Sequence, residues 1–288
     1  MQQSTIRRRI ECRGIGLHTG EEVEVALCPA PADSGIVFVS LAAGDGEADV
    51  DIPACLATVH SSSRATTLSV AASASRLNGE SLRQVGTVEH LLATIFALEI
   101  DNLRIEVSGS EIPVMDGSAA PFVDWLRSAG RTTQAAKRKA FRLDGCIEIR
   151  DGNRSIRIEP ADELRISYAI DFDHPCIGRQ CLEIARLDAK VFESELASAR
   201  TFGFVHEVEA LREAGLALGG GMENAVVLDD ERVLNRDGLR WPDEFVRHKM
   251  VDLLGDLALL GARPRAHIQV ERGGHRLHHR LVEALLNR

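Results

Sequence analysis

The sequence predicts an α+β protein built in two parts, and three observations carry that reading. Strand-like and helix-like segments come in runs rather than alternating one for one, which favours α+β layers over a doubly wound parallel sheet. No GxGxxG follows a strand, so a dinucleotide fold has no anchor. A basic, polar stretch short of large apolar residues, RTTQAAKRKA (131–140), separates two parts that each hold strands and helices. The 288 residues can bury one large core or two smaller ones. The composition shift sets the boundaries: a first domain over 1–128, a linker over 129–140 and a second domain over 141–288.

The first part opens with strand patterns in EEVEVALCPA and GIVFVSL. A polar stretch, HSSSRATTLSVAASASRLNGESLRQVG, leads into an apolar helix, TVEHLLATIFALEI. The alternating strand DNLRIEVSG follows, then the loop SEIPVMDGSAAP and a helix in FVDWLRSAG. The second part begins with three alternating segments, FRLDGCIEIRD, RSIRIEP and ELRISYAIDFD, which read as an antiparallel meander. After a mixed region come a strand in NAVVLDD, a helix over 245–261, the strand RAHIQVER and a last helix, HRLHHRLVEALLN. No fixed-period repeat is visible.

A content of 44% hydrophobic and 27% charged residues fits a globular protein and excludes disordered and fibrous classes. A net charge of −9 argues against a general nucleic-acid surface, while leaving room for a local basic pocket. No apolar run approaches the ~20 residues of a membrane span, and MQQSTIRRRIECRG lacks the core of a signal peptide, so the expected compartment is the cytoplasm. The six cysteines are scattered without a CxxC pair, which fits reduced thiols. Any metal must therefore be held by histidine and carboxylate.

FVRHKMVDLLGDLALLG (245–261) supplies such a set. At about 100° per residue, His248, Asp252, Asp256 and Lys249 fall within an arc of about 100°, and the rest of the helix is apolar. A histidine and an aspartate at i and i+4 can hold one cation. The same pattern also suits a helix with a thin wet edge and a chance ion pair. In the other apolar helix Glu89 and His90 stand alone among Val88, Leu91, Leu92, Ile95, Phe96 and Leu98, where burying them is costly unless something satisfies them. His90 would complete a three-ligand zinc site with one open position, and Glu89, diverging by about 100°, would face the water as general base. Alternatively His90 is a hydrogen-bonded core histidine beside a helix-start carboxylate. His275, after two glycines at a strand-to-helix turn, is the candidate acid, with Asp256 to orient it. An ordinary helix-start residue is the competing reading for His275. His278 and His279 read as exposed helix positions. Thr201 could donate to an oxyanion or be structural, and Lys249 could reach a substrate oxygen or merely snorkel.

GIGLHTG, TVEHLLA, EIPVMDGSAAPFV, SARTFGF, DEFVRHKMVDLLGDL and GGH occur in an order that resembles the UDP-3-O-acyl-N-acetylglucosamine deacetylases, zinc enzymes of bacterial lipid A synthesis. The resemblance runs from about Ile6 to Val282. It implies two domains, each a β-sheet plus helices, packed as a sheet-helix-helix-sheet sandwich with the metal at their junction. It implies His90, His248 and Asp252 as ligands of one Zn²⁺ (Fe²⁺ being the alternative in the cell), Glu89 as base, His275 as acid with Asp256 behind it, Thr201 at the oxyanion and Lys249 at the substrate. The region of about 191–227 matches an insert forming an apolar passage for the acyl chain. Leu196, Phe202, Val205, Val208, Leu211 and Leu216 could line it, although helical core packing accounts for them equally well. Phe172 and Arg272 correspond to residues that hold the nucleotide end. The implied function is removal of the N-acetyl group from a nucleotide-linked acyl sugar, the committed step of lipid A and lipopolysaccharide biosynthesis, by a cytoplasmic monomer that binds no nucleic acid.

Some positions depart from the family pattern. His278 and His279 stand where asparagines are frequent, Asp144 where some members carry a substrate-binding lysine, and the stretch from Ser69 to Gln84 looks longer than in familiar members. Two rival functions remain at this level: a zinc amidohydrolase for a different acylated sugar, and a non-catalytic binder of nucleotide-linked acyl sugars or of a partner protein.

Overall fold

The computed structural model describes residues 1–42, 44, 48–71 and 82–288. After a first strand, β1 (Gln2–Ile6), the chain makes two hairpins, β2 (Ile10–Ile15) with β3 (Glu22–Pro29) and β4 (Ile36–Ser40) with β5 (Val50–Pro53). A three-stranded antiparallel sheet follows, from β6 (Val59–Ser61), β7 (Thr67–Ala71) and β8 (Leu82–Val85). Helix α1 (Glu89–Ala97), strand β9 (Leu103–Val107) and helix α2 (Ala120–Ala129) complete the first half. β9 slots between the two hairpins, antiparallel to β3 and parallel to β4, giving the order β2-β3-β9-β4-β5.

The second half repeats this plan. β10 (Arg131–Lys137) returns along β1, and β11 (Ala140–Phe141) follows. Two hairpins, β12 (Ile147–Asp151) with β13 (Arg154–Pro160) and β14 (Arg165–Phe172) with β15 (Gly178–Ile184), come next. An insertion then carries α3 (Ala189–Val191), a π-helical turn at Phe192–Leu196, β16 (Phe202–Phe204), α4 (Val205–Glu213) and β17 (Val226–Leu228). Helix α5 (Glu244–Ala258), the short β18 (Arg263–Pro264), strand β19 (Ala266–Glu271) and helix α6 (His275–Leu286) close the chain. β19 enters between β13 and β14, antiparallel to the first and parallel to the second, so the order is β12-β13-β19-β14-β15.

Several expectations change here. The segments at 141–173 are not a meander, because β19 separates β13 from β14. The basic stretch 131–140 is no bare linker: most of it is β10, which pairs antiparallel with β1 although none of its residues is a large apolar side chain. The polar stretch 60–86 contains β7, β8 and most of β6. Of the lengthened stretch from Ser69 to Gln84, residues 72–81 lie outside the described residues.

The fold is α+β, with the helices layered against two sheets. Val25, Leu27, Phe38, Ile52, Leu103 and Ile105 of the first sheet share a core with Leu91, Leu92 and Ile95 of α1 and Phe122 and Leu126 of α2. α5 packs on β14 and β15, α6 on β12 and β13, and α1 meets α5 between the sheets. Both α1 and α5 are buried nearly all round, which explains their apolar surround. Their approach depends on Gly255, where a Cβ would stand 2.1 Å from the backbone oxygen of Glu89.

Candidate metal centre

The α1–α5 contact places the first turn of one helix against the middle of the other. His90 Nε2 and His248 Nε2 lie 3.1 Å apart, and Asp252 Oδ1 is 3.6 Å from the first and 3.5 Å from the second. Three atoms in such a triangle can share a point about 2.0–2.2 Å from each, the bond length of zinc to nitrogen and oxygen. The protonation states suit a cation. Burial holds the His248 pKa well below its ordinary value, so the ring is neutral. Burial works against ionisation of Asp252, but His248 and Lys249 hold its pKa well below the usual range. Lys249 Nζ takes Asp252 Oδ2 at 2.9 Å, leaving Oδ1 toward the histidines. His248 Nδ1 is buried and, among the described residues, has no hydrogen-bond partner. Two imidazole nitrogens and a carboxylate oxygen gathered at one buried point are a donor set that fits a divalent ion.

Glu89 and His275 flank this triangle. The Glu89 carboxylate is buried, which raises its pKa against the pull of His275 and His90. Its Oε2 accepts the backbone N–H of Thr66 at 3.1 Å, and its Oε1 lies 3.9 Å from His275 Nε2. His275 Nδ1 stands 2.7 Å from Asp256 Oδ2. Burial works against protonating His275, yet Asp256, aided by Asp252 and Glu89, pushes its pKa up to about 10. Such a ring keeps a proton at neutral pH and can deliver it.

The three ligand residues, Glu89 and His275 open on one cavity of about 370 Å³. Its lining includes Glu89, His90, His248, Lys249, Asp252 and His275, and also Thr201, Phe172 and Phe202. Asp256 lies behind His275, fully buried. Phe172 and Phe202 meet edge to face at 5.6 Å, and Lys249 Nζ lies 5.4 Å over the Phe202 ring. Other expected substrate residues sit elsewhere. Arg272 pairs with Asp171 and borders an adjoining recess with Arg154, Phe172 and Lys249. Leu211 and Leu216 do not line the cavity. α4 buries none of its residues, Val205 is exposed, and Leu196 belongs to the core. Asp144 is exposed and away from the cavity.

Residues that sequence reasoning missed complete the site. Thr66, fully buried, links Glu89 to Asp256 by its N–H and its hydroxyl. His278 and His279, expected on the surface, are buried against Asp256. The spacing of His278, Leu281, Val282 and Leu285 (i, i+3, i+4, i+7) was the signal that this position faces inward. Glu111 is buried and accepts from the His18 and Thr19 N–H groups and the Thr19 and Thr87 hydroxyls, pinning the GLHTG loop at the cavity rim. Nothing in the local sequence marks Thr66.

Comparisons with known proteins agree with this geometry. A family model described as UDP-3-O-acyl N-acetylglycosamine deacetylase (LpxC) matches residues 3–287. Proteins named UDP-3-O-acyl-N-acetylglucosamine deacetylase are similar along their length. That of Nitratidesulfovibrio vulgaris is 47% identical over 286 residues, covering 99% of this chain and 88% of its own. That of Syntrophotalea carbinolica is 45% identical over 284 residues, covering 99% and 87%. That of Teredinibacter turnerae is 41% identical over 289 residues, covering 100% and 91%. With the match spanning the strands, the helices and every residue of the candidate centre, the chain belongs to the UDP-3-O-acyl N-acetylglycosamine deacetylase family.

Proposed function

We propose that this chain hydrolyses the 2-acetamido group of UDP-3-O-[(3R)-3-hydroxyacyl]-N-acetylglucosamine, releasing acetate and leaving a free amine, the committed step of lipid A biosynthesis. The relatives' shared name supports the substrate. The observation that carries the reaction class is the convergence of His90, His248 and Asp252 beside Glu89 and His275 in one cavity. In this reading the three ligands hold one divalent ion, zinc, with iron(II) as the alternative because histidine and carboxylate accept both. When bound, the ion supplies Lewis acidity toward the acetamide carbonyl and lowers the pKa of a water.

The chain's own groups do the rest. Glu89 takes the proton of the attacking water on Oε1, the oxygen that Thr66 N–H leaves free. His275 hands a proton from Nε2 to the departing nitrogen, its other nitrogen held by Asp256. Thr201 donates to the developing oxyanion and Lys249 binds a substrate oxygen. Phe172 and Arg272 are assigned to the nucleotide end, and the segment 191–227, with Phe202, Leu211 and Leu216, to the acyl chain. We assign 1–128 and 141–288 as the two domains. No helix among the described residues is long and apolar enough to cross a membrane. We place the chain in the cytoplasm, as a monomer that binds no nucleic acid. Metal analysis of the purified protein, with an acetate-release assay on the substrate with and without its 3-O-acyl chain, tests the reading. One equivalent of metal and turnover that depends on the acyl chain are expected. Binding without acetate release sinks it.

A further inference from the structure

The Asp256–His275 pair belongs to a larger cluster. Asp256 Oδ1 receives the Thr66 hydroxyl at 2.6 Å and His279 Nε2 at 2.9 Å, while Oδ2 receives His275 Nδ1 at 2.7 Å and His278 Nδ1 at 2.8 Å. A carboxylate offers about four lone-pair sites, so Asp256 is saturated and each ring must present an N–H to it. The second nitrogen of His278 faces the buried Tyr168 hydroxyl at 3.0 Å. With Nδ1 protonated, Nε2 accepts the Tyr168 O–H, and both buried groups are satisfied while the ring stays neutral. Burial disfavours a charge on His278 in any case. Gly273 makes the room: a Cβ there would lie 2.4 Å from Tyr168 Oη and 2.9 Å from His278 Nε2.

One carboxylate charge is therefore shared among three imidazoles. Each neutral N–H that stabilises the anion lowers its pull on the remaining partner. We propose that His278, held in its Nδ1–H tautomer by Tyr168, is a positioning residue that weakens the grip of Asp256 on the His275 proton and so sets the acidity of the group that protonates the leaving amine. His279 acts in the same sense on the other oxygen. The groups facing His275 are Asp256, Asp252 and His248 from α5, Glu89 from α1, and His278 and His279 from its own helix. Removing His278 leaves more of the Asp256 charge to His275, which then holds its proton to higher pH.

The inference rests on the reading of His275 as the acid. The test is the pH profile of kcat/KM for acetate release by the metal-loaded enzyme. In His278→Ala the alkaline limb rises by about one pH unit with KM little changed. In His278→Asn, whose amide can still donate to Oδ2, the limb stays close to that of the parent. An unmoved limb in His278→Ala overturns the inference, including where activity falls only because less enzyme folds. Should His278→Ala fail to fold, ¹⁵N spectra of the parent's histidines decide: His278 must carry its proton on Nδ1 alone from pH 6 to 9, and the opposite tautomer or a titration in that range overturns the inference. Full acetate release by His275→Ala removes instead the reading beneath it.

Discussion

The two halves share one plan, two hairpins, an insertion, a helix, a centre strand and a closing helix, yet they carry different chemistry. The central helix of the first half, α1, contributes Glu89 and His90 from its first turn. Its counterpart α5 contributes His248, Lys249, Asp252 and Asp256 over three turns. The closing helices differ more. α2 buries Phe122, Val123, Leu126 and Ala129, whereas α6 buries His275, His278 and His279. A duplicated scaffold thus supplies the meeting of two helices, and the halves divide the labour: ligands come from both, while the proton-donating cluster grows on the second.

The largest effects should come from separating that division. His248→Ala is expected to lose the metal, whereas Glu89→Gln keeps it and lowers turnover by about a hundredfold or more. Metal content and acetate release, measured on the same samples, check both, and a Glu89→Gln enzyme of full activity would break the assignment. Glu244 begins α5 and accepts from Arg200 Nε at 2.8 Å, the Arg200 N–H at 3.0 Å and the Arg240 N–H at 2.7 Å. Glu244→Gln uncouples a buried ion pair that ties the second half's insertion to α5 and should cost about 3–5 kcal/mol, read by denaturant unfolding. Gly255→Ala pushes a methyl into the Glu89 backbone and should cost about 1–3 kcal/mol, with metal affinity falling alongside because it spreads the two ligand-bearing helices. Arg64, on the first half's insertion, makes a two-pronged pair with Glu207 on α4 of the second at 2.7 and 3.2 Å, across the cavity mouth. The pair is partly exposed, so Arg64→Ala should change stability by less than about 1 kcal/mol. A larger loss would show that the insertions are structurally fused.

How much of this was legible depended on contrast. The polar stripe of α5 stood out because its neighbours are apolar, and the Glu89–His90 pair for the same reason. The histidines of α6 did not, because polar residues in an amphipathic helix look like its wet face. β10 carries only small, polar and basic side chains, so periodicity had little apolar signal to report. The duplication escaped notice because it resides in strand order, while insertions of unlike length between the hairpins and the central helices erase any constant period. Thr66 and Glu111 act through partners far along the chain, which no local pattern encodes. The passage assigned to Leu211 and Leu216 rests on the family resemblance, because neither residue lines the cavity and α4 buries none of its residues.

In each sheet the middle strand leaves the ribosome after the four that surround it, since β9 and β19 follow their helices. Sequential hairpins can zip early, but neither sheet closes until a distant segment threads between them. Such non-local pairing slows folding. Because α1 and α5 lie in the connections that lead to those central strands, seating β9 and β19 also draws the two ligand-bearing helices toward their sheets.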